Sequence, residues 1–207
     1  MTVTLKWLAH SGFQIKAEGK TIYIDLEKYG EFSEKADLIL VTHSHTDHCD
    51  SAQIERARKP DTLVIAPSDC VSKIGGKVKT LKAGEETKVG NIKVKAVDAY
   101  NTKRFRSPST PFHPKGLGVG YVITAEGKTV YHAGDTDFIP EMRQLGNVDV
   151  ALLPSGNTYT MDNADAAEAA LAFKPKAVIP MHRWSTNPAE LKNKVEIESK
   201  VKVVLLK

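Results

Sequence analysis

The feature that most constrains the fold of this 207-residue chain is a histidine-rich hexapeptide that directly follows a short apolar run. The apolar run covers residues 38–41 and has the length and composition of a strand buried on both faces. The hexapeptide reads His43-Ser44-His45-Thr46-Asp47-His48 and holds three of the seven histidines in the chain. Neutral imidazoles and carboxylates are good ligands for divalent ions such as zinc, iron and manganese. The sequence therefore predicts a metal site at the end of a buried strand.

The spacing within the hexapeptide allows two metal ions. Residues two apart in an extended or turning segment can point to the same side, so His43 and His45 can share one ion. Asp47 and His48 come after the turn and can reach a second ion. The alternative is a surface loop that happens to be rich in histidine. The concentration of imidazoles at one strand end favours the metal site.

The rest of the chain is predicted to combine many short strands with a few helices. Apolar and β-branched runs predict strands at 2–7, 13–17, 21–25, 38–41, 63–66, 78–81, 87–89, 92–97, 116–124, 129–132, 148–153, 177–180 and 201–206. Capping residues, alanine content and prolines predict helices at 51–58, 67–73, 161–173 and about 187–199. This order indicates the α/β class, as a four-layer αββα sandwich of two mixed β-sheets with external helices.

Residues 100–115 interrupt the pattern, because they contain three prolines, several polar residues and no periodicity. A loop of that length inside a compact domain is usually either functional or disordered. We expect it to form part of a pocket wall, where Lys103, Arg104, Arg106 or Lys115 reaches an anionic group. A solvated loop is the alternative.

Length and composition set the class of protein. The chain suits one domain over residues 1–207, and its 41% hydrophobic and 26% charged residues are typical of globular proteins. The net charge of +4 comes without a basic stripe, so no nucleic-acid partner is expected. No apolar run approaches the roughly 18–20 residues that cross a bilayer, and the first residues lack the order of a secretory signal. With two cysteines, Cys49 and Cys70, expected to stay reduced, we predict a cytoplasmic protein of unspecified oligomeric state.

The hexapeptide resembles the signature of the metallo-β-lactamase superfamily, and other segments agree with it in order. Residues 7–13 and 22–25 look like the N-terminal hairpins of its small metal-dependent hydrolase branch, which includes lactonases and phospholipase D-like enzymes. The run Tyr131-His132-Ala133-Gly134-Asp135-Thr136 resembles the segment that supplies a bridging aspartate. The run Ile179-Pro180-Met181-His182 resembles the one that supplies the last histidine. The resemblance covers nearly the whole chain and is much less specific for any one substrate.

The resemblance implies a dinuclear site. The first ion would be bound by His43 and His45, the second by Asp47, His48 and His182, and Asp135 would bridge both.

The third imidazole of the first site departs from the commonest form of the family. Many relatives place that histidine shortly after the strand that ends here at Val97, where this chain has no histidine. His113 is the only free imidazole in the region, and we assign it as the third ligand. The alternatives are Asn101 or water in that position, or a site with one metal.

Further residues are candidates for roles beside the metals. Asp47 is best placed to orient the attacking water or take its proton, although its ligand role competes with this one. His10 lies near the site in relatives, so it is a candidate catalytic residue that protonates the leaving group or binds substrate, with a structural role as the alternative. Asp25 is a candidate acceptor for a ligand imidazole. His132 is expected to be structural.

The function that follows is that of a metal-dependent hydrolase. Two divalent ions, most simply Zn²⁺ with Mn²⁺ or iron as alternatives, would lower the pKa of a bridging water from about 15.7 to about 7. The resulting metal-bridging hydroxide would cleave a small, anionic ester, lactone or phosphodiester. One alternative is a di-iron oxidoreductase with a flavin partner, although no flavin-binding segment follows His182. The other is a non-catalytic metal-binding protein on the same fold.

Overall fold

The structure is a computed structural model that describes residues 3–206. Within that range the strands are β1 (Thr4–Ala9), β2 (Gly12–Ala17), β3 (Lys20–Ile24), β4 (Leu38–Leu40), β5 (Leu63–Ala66), β6 (Val78–Thr80), β7 (Glu86–Val89), β8 (Ile92–Asp98), β9 (Phe105–Ser107), β10 (Thr110–Pro111), β11 (Val119–Ala125), β12 (Lys128–His132), β13 (Val150–Pro154), β14 (Ala177–Met181) and β15 (Lys202–Val203). The α-helices are α1 (Ser51–Ala57), α2 (Val71–Ile74), α3 (Asn163–Phe173) and α4 (Ala189–Glu198), and short 3₁₀ helices cover Ser68–Cys70 and Pro140–Gln144.

These strands form two large mixed sheets. The first has the order β1-β2-β3-β4-β5-β6, with antiparallel pairs up to β3 and parallel pairs from there on. The second has the order β15-β14-β13-β12-β11-β8-β7, with parallel pairs from β15 to β12 and antiparallel pairs beyond. Most antiparallel neighbours are joined by hairpins, whereas the parallel neighbours need longer crossovers, most of which contain a helix. The remaining strands, β9 and β10, pair with each other.

The two sheets pack face to face, and the alternation of side chains along each strand decides which residues fill the space between them. In β3, Ile22 and Ile24 belong to the same buried cluster as Tyr121 of the second sheet. Tyr23, between them in sequence, lies in a separate cluster with Ile54 of α1. Each fully buried aliphatic side chain stabilises the fold by about 1.5–3 kcal/mol. Alternation of this kind requires a helical layer outside the first sheet.

Helix α3 belongs to the layer outside the second sheet. Asp162 caps its start, because its side chain accepts a hydrogen bond from the backbone N–H of Asp165, and Lys174 ends it with a left-handed backbone (φ 50°). Four alanines of α3 are buried in the same hydrophobic cluster as the second sheet, namely Ala166, Ala167, Ala169 and Ala170, and α3 packs against α4. The predicted α/β architecture of two mixed sheets with external helices is thus confirmed.

The elements differ from the predicted ones mainly at their edges. Residues 100–115, predicted to be irregular, contain the β9–β10 hairpin, and the 3₁₀ helix Pro140–Gln144 was not predicted. The last strand covers only Lys202–Val203 of the predicted 201–206. Pairing between distant segments decides these short elements, so local patterns carry little information about them. Among the helices of residues 3–206, none is long and apolar enough to cross a membrane.

Candidate metal centre

The histidine-rich hexapeptide leaves the carboxyl end of β4, in the parallel part of the first sheet. Asp25, a fully buried residue with a φ of 49°, fixes its start. The carboxylate of Asp25 accepts hydrogen bonds from the backbone N–H (2.8 Å) and the Oγ1 hydroxyl (2.7 Å) of Thr42. The chain then turns, since the backbone N–H of His48 donates to the carbonyl of His45 at 3.0 Å. The strand end and the turn together hold the imidazoles at one place.

The second sheet supplies two further candidate ligands at the carboxyl ends of its strands. Asp135 follows β12 after a short connection, and His182 follows β14 directly. Gly134 has a φ of +64°, and a Cβ there would lie 2.8 Å from the Val119 carbonyl and 3.2 Å from Cβ of Thr42. Glycine therefore lets the Asp135 segment approach the start of the hexapeptide. The candidate centre lies where strand ends of both sheets meet.

His113 comes from the loop between β10 and β11, and Asn101 holds it in place. Oδ1 of Asn101 accepts hydrogen bonds from both the backbone N–H and Nδ1 of His113, each at 2.8 Å. The amide Nδ2 of Asn101 donates to the carbonyl of Tyr159 at 3.0 Å. Both polar ends of the Asn101 side chain are thus engaged, while Nε2 of His113 faces Nδ1 of His45 at 3.2 Å. Between His113 and Asn101, this arrangement favours His113 as the metal ligand and Asn101 as the residue that orients it.

The structure brings all seven predicted ligands together, in groups whose ligand atoms lie within 4.8 Å of one another. In the first group, Nε2 of His43 lies 3.0 Å from Nδ1 of His45, which also faces His113. In the second, Oδ2 of Asp47 lies 3.7 Å from the Nε2 atoms of both His48 and His182. The second group also contains His10, which was predicted beside the metals and not as a ligand; apart from His10, the two groups match the two predicted ion sites.

Asp135 lies between the two groups. Its Oδ2 lies 3.4 Å from Nε2 of His113 and 3.1 Å from Nε2 of His182. Its Oδ1 lies 3.3 Å from Nε2 of His48, and Oδ2 is 3.9 Å from Nε2 of His43. A carboxylate that reaches imidazoles of both groups can bridge two ions roughly 3.5–4 Å apart.

Hydrogen bonds at the Nδ1 atoms orient three of the imidazoles in the same way. Nδ1 of His48 lies 2.7 Å from Asp25 Oδ2, Nδ1 of His43 lies 3.0 Å from Thr42 Oγ1, and Nδ1 of His113 bonds to Asn101. A carboxylate or amide oxygen accepts, so the proton sits on Nδ1 of His48 and His113. In the neutral form of each imidazole, Nε2 is then left with a free lone pair, as metal ligation requires. The predicted contact between Asp25 and a candidate ligand imidazole is confirmed.

The donor atoms also fit a cation. Two nitrogens bound to one tetrahedral zinc at 2.0–2.1 Å lie about 3.3 Å apart, close to the separations within the first group. Nε2 of His48 and Oδ1 of Asp135 are buried and have no hydrogen-bond partner within residues 3–206. An unpaired buried polar atom is costly, and a shared cation would satisfy both atoms.

Burial and charge divide the metal-free imidazoles into two classes. Burial lowers the pKa of His113 to about 4 and the pKa of His43 well below its usual value. Burial also opposes the charge of His182, yet the carboxylate of Asp135 raises the pKa of that imidazole to about 9. The pKa of His48 is raised well above its usual value by the same carboxylate, against its burial. At neutral pH without metal, His48 and His182 carry protons, whereas His43 and His113 do not.

This division predicts different pH dependences for the two ions. Because a ligand imidazole must be neutral, an ion at the Asp47 group displaces the protons of His48 and His182, while an ion at the His113 group displaces none. Between pH 6.5 and 9, affinity for the Asp47 group should rise roughly tenfold per pH unit for each proton displaced, and affinity for the other group should stay nearly constant. Calorimetry of zinc binding at pH 7 in two buffers of different ionisation enthalpy measures the protons released. Equal release at both steps would contradict the prediction.

The remaining histidines have distinct surroundings. Nε2 of His10 lies 3.3 Å from Oδ2 of Asp47, and its ring lies 3.9 Å from the ring of His182, so His10 is close to the candidate centre. His132 is fully buried and donates from Nε2 to the carbonyl of Ser11 at 2.9 Å, while its Nδ1 accepts from the backbone N–H of Gly134. His132 thus ties the second sheet to the β1–β2 turn, which favours its predicted structural role.

A cleft of about 500 Å³ opens above the candidate centre. It is lined by His45, Thr46, Asp47, Arg106, Phe112, His113, Asp135, Tyr159, His182 and Trp184. Of the four cations predicted to reach an anion, Lys103 and Arg104 pair with Asp165, and Lys115 pairs with Glu141. Acidic neighbours thus neutralise these three, which leaves Arg106 as the candidate among the four predicted cations.

The aromatic wall of this cleft was not predicted from the sequence. Phe112, Tyr159 and Trp184 come from three separate segments, so no local pattern connects them. One signal was present: Trp184 stands two residues after a candidate ligand, His182, in a polar segment. A large aromatic side chain in such a polar segment has no hydrophobic core to pack against.

Comparison with known proteins agrees with this geometry. A family profile described as the beta-lactamase superfamily domain matches residues 4–182. A "UPF0173 metal-dependent hydrolase" of Pelotomaculum thermopropionicum is 35% identical over 97% of this chain and 95% of that protein. Another of the same name, from Geobacillus sp. strain WCH70, is 37% identical over 86% of this chain and 84% of its own length.

Solved structures agree with this match. A crystal structure from Parabacteroides distasonis has a TM-score of 0.92 and 36% identity, and covers 98% of this chain and 92% of that one. Igni18, described as a novel metallo hydrolase of Ignicoccus hospitalis, has a TM-score of 0.82 at 29% identity, and covers 100% of this chain and 96% of its own. The chain belongs to the UPF0173 family of metal-dependent hydrolases, within the beta-lactamase superfamily.

Proposed function

We propose that residues 1–207 act as one cytoplasmic hydrolase domain. It binds two divalent ions, with Zn²⁺ as the first candidate for both, and cleaves a small ester, lactone or phosphodiester. The observation that carries this proposal is the position of Asp135, whose two carboxylate oxygens reach imidazoles of both candidate ligand groups. A protein that only stores or senses one metal would not need a buried carboxylate shared between two groups.

In this proposal His43, His45 and His113 hold the first ion. Asp47, His48 and His182 hold the second, and Asp135 is shared. The ions, when bound, supply Lewis acidity that polarises the scissile group and lowers the pKa of a water.

Asp47 and His10 are the residues proposed to move protons. Asp47 is about one-third exposed and lines the cleft, whereas the imidazoles of His48 and His182 beside it are almost fully buried. Although burial opposes its charge, hydrogen bonds from His10 and His182 lower the pKa of Asp47, so its carboxylate is ionised. An ionised carboxylate at the cleft can accept a proton from water, and His10, 3.3 Å away, can pass one to the leaving group.

The test compares two matched substitutions at buried histidines, His113→Gln and His132→Gln. We expect the wild type to bind about two metals per chain by elemental analysis. His113→Gln should lose about one metal, together with turnover of a bis-aryl phosphodiester and of a simple lactone. His132→Gln should keep both metals, because His132 bonds to Ser11 and Gly134 rather than facing the candidate ions.

Other results would redirect the proposal. One metal or none in the wild type, with no change in His113→Gln, would remove His113 from the site and favour a mononuclear enzyme or a binding protein. Iron in place of zinc, together with electron transfer from a flavin protein, would favour the oxidoreductase.

A further inference from the structure

The cleft above the candidate metal centre has an aromatic rim. Trp184 is 60% exposed and Tyr159 is 39% exposed, unusual values for side chains of this size next to a buried site. The rings of Phe112 and Tyr159 pack edge to face with centroids 4.8 Å apart. The indole of Trp184 stands edge-on to the ring of His10 at 4.7 Å. These rings are therefore held at defined positions around the opening.

The backbone at Trp184 is held in an unfavourable conformation. Trp184 has a φ of +49°, and His182 before it has a φ of +47°. Left-handed backbone costs a residue with a side chain roughly 1–2 kcal/mol, so the surrounding structure must maintain it. Gly156 packs against this turn: a Cβ there would lie 2.9 Å from the Trp184 ring and would overlap the carbonyl of His182. The turn that ends β14 thus presents one residue to the centre and the other to the cleft.

The cleft also offers one positive charge that is not neutralised by the protein. Arg106 lines it, and within residues 3–206 the guanidinium has no carboxylate partner. Its neighbours in the same loop differ, since Lys103, Arg104 and Lys115 all form ion pairs outside the cleft. The Arg106 guanidinium lies 5.8 Å from the centroid of Phe112, so charge and ring are adjacent.

We propose that the substrate of this enzyme is an aromatic monoanion, with its ring against Trp184, Tyr159 and Phe112 and its negative charge on Arg106. This inference rests on the proposed hydrolase function, and it adds the class of molecule that the same site takes. The volume of about 500 Å³ lies within the roughly 300–1,000 Å³ typical of small-ligand pockets. Apart from the candidate ions, the cleft offers the single unpaired cation Arg106, which suits one negative charge on the part of the substrate that carries the ring.

Binding of inert probes to the metal-loaded protein tests this directly. Benzenesulfonate carries both features, methanesulfonate only the charge, and benzyl alcohol only the ring. We expect benzenesulfonate to bind about tenfold more tightly than either of the others, because each feature adds its own contact. Calorimetry gives the affinities, and quenching of the exposed indole of Trp184 gives a second signal.

Variants separate the two contacts. Arg106→Gln should weaken benzenesulfonate about tenfold and leave benzyl alcohol unchanged. Trp184→Ala should weaken both aromatic probes and leave methanesulfonate unchanged. Lys115→Gln removes a positive charge from the same loop but outside the cleft, and should change nothing. Equal affinities for the three probes, or an equal effect of Arg106→Gln and Lys115→Gln, would overturn the proposal.

Turnover distinguishes this inference from the proposed function. We expect phenyl esters that carry a para-sulfonate to be hydrolysed with a higher kcat/KM than their neutral parents, and Arg106→Gln to remove that preference. Hydrolysis without such a preference would overturn the inference alone. Selective binding of benzenesulfonate without hydrolysis of any ester, lactone or phosphodiester would overturn the proposed hydrolase and leave the ligand class supported.

Discussion

Asp135→Asn is expected to remove both metals and to lower turnover by more than the roughly 100-fold that loss of an outer-shell partner costs. The substitution preserves the shape of the side chain but removes its charge. Both oxygens of Asp135 face imidazoles, His48 on one side and His113 and His182 on the other. An amide would present a neutral oxygen to one of these sides and an N–H donor to the other, and an N–H cannot bind a cation.

The same substitution should also change the metal-free protein. The charge of Asp135 raises the pKa of His182 to about 9 despite its burial, so the neutral amide should bring that pKa down. The pKa of His182 is thus about 9 in the folded protein, against 6.5 in the unfolded chain. A group whose pKa is raised on folding stabilises the folded state below its unfolded pKa, and this stabilisation is lost as the pH rises through 9. The metal-free wild type should therefore be more stable at pH 6 than at pH 9 by the contribution of His182. Metal-free Asp135→Asn should lack this extra stability at pH 6.

Asp149→Asn is the matched control for Asp135→Asn. Asp149 bonds to Lys176 and to the backbone N–H of Thr129 and does not line the cleft. Elemental analysis, turnover and urea unfolding of the metal-free proteins at pH 6 and pH 9 are measured for both variants. Two metals retained in Asp135→Asn would show that the aspartate is not shared between ions.

The candidate ligands were accessible to sequence analysis because their chemistry is concentrated in short runs at strand ends. The hexapeptide begins three residues after the end of β4, and His182 follows β14 directly. Buried apolar runs are visible locally, and the residue at the end of such a run has a fixed position relative to the sheet. Asp25 could be predicted for the same reason, since it ends β3 beside β4.

Contacts between distant segments could not be predicted in this way. His113 was assigned because no other imidazole was free, and its bond to Asn101 depends on how the loop closes. The ion pair between Arg104 and Asp165 spans 61 residues, so sequence shows two charges but not that they meet. The aromatic rim is built from three separate loops, so it could not be predicted from the sequence for the same reason. Long-range pairing carries the information that a single sequence lacks.

Those distant contacts make a buried cluster of charges around Arg104. The guanidinium pairs with the carboxylates of Asp137, Asp165 and Asp162. Asp137 is fully buried, and its Oδ2 also accepts backbone hydrogen bonds from residues 102, 103 and 104. Because Asp137 lies two residues after Asp135, this cluster fastens the loop that carries His113 to the segment that carries the shared carboxylate.

Arg104→Met is therefore expected to reduce the free energy of unfolding by about 3–5 kcal/mol, because it leaves the fully buried carboxylate of Asp137 without its cation. Lys103→Met is the control: Lys103 also pairs with Asp165, but its side chain is 57% exposed, so the loss should stay within about 1 kcal/mol. Urea unfolding of the metal-free proteins measures both values. Since the freed loop carries His113, metal analysis of Arg104→Met should also show loss of the ion at the His113 group before the ion at the Asp47 group. If Arg104→Met reduced the free energy of unfolding as little as Lys103→Met does and kept both metals, the cluster would not be what holds the loop against the metal centre.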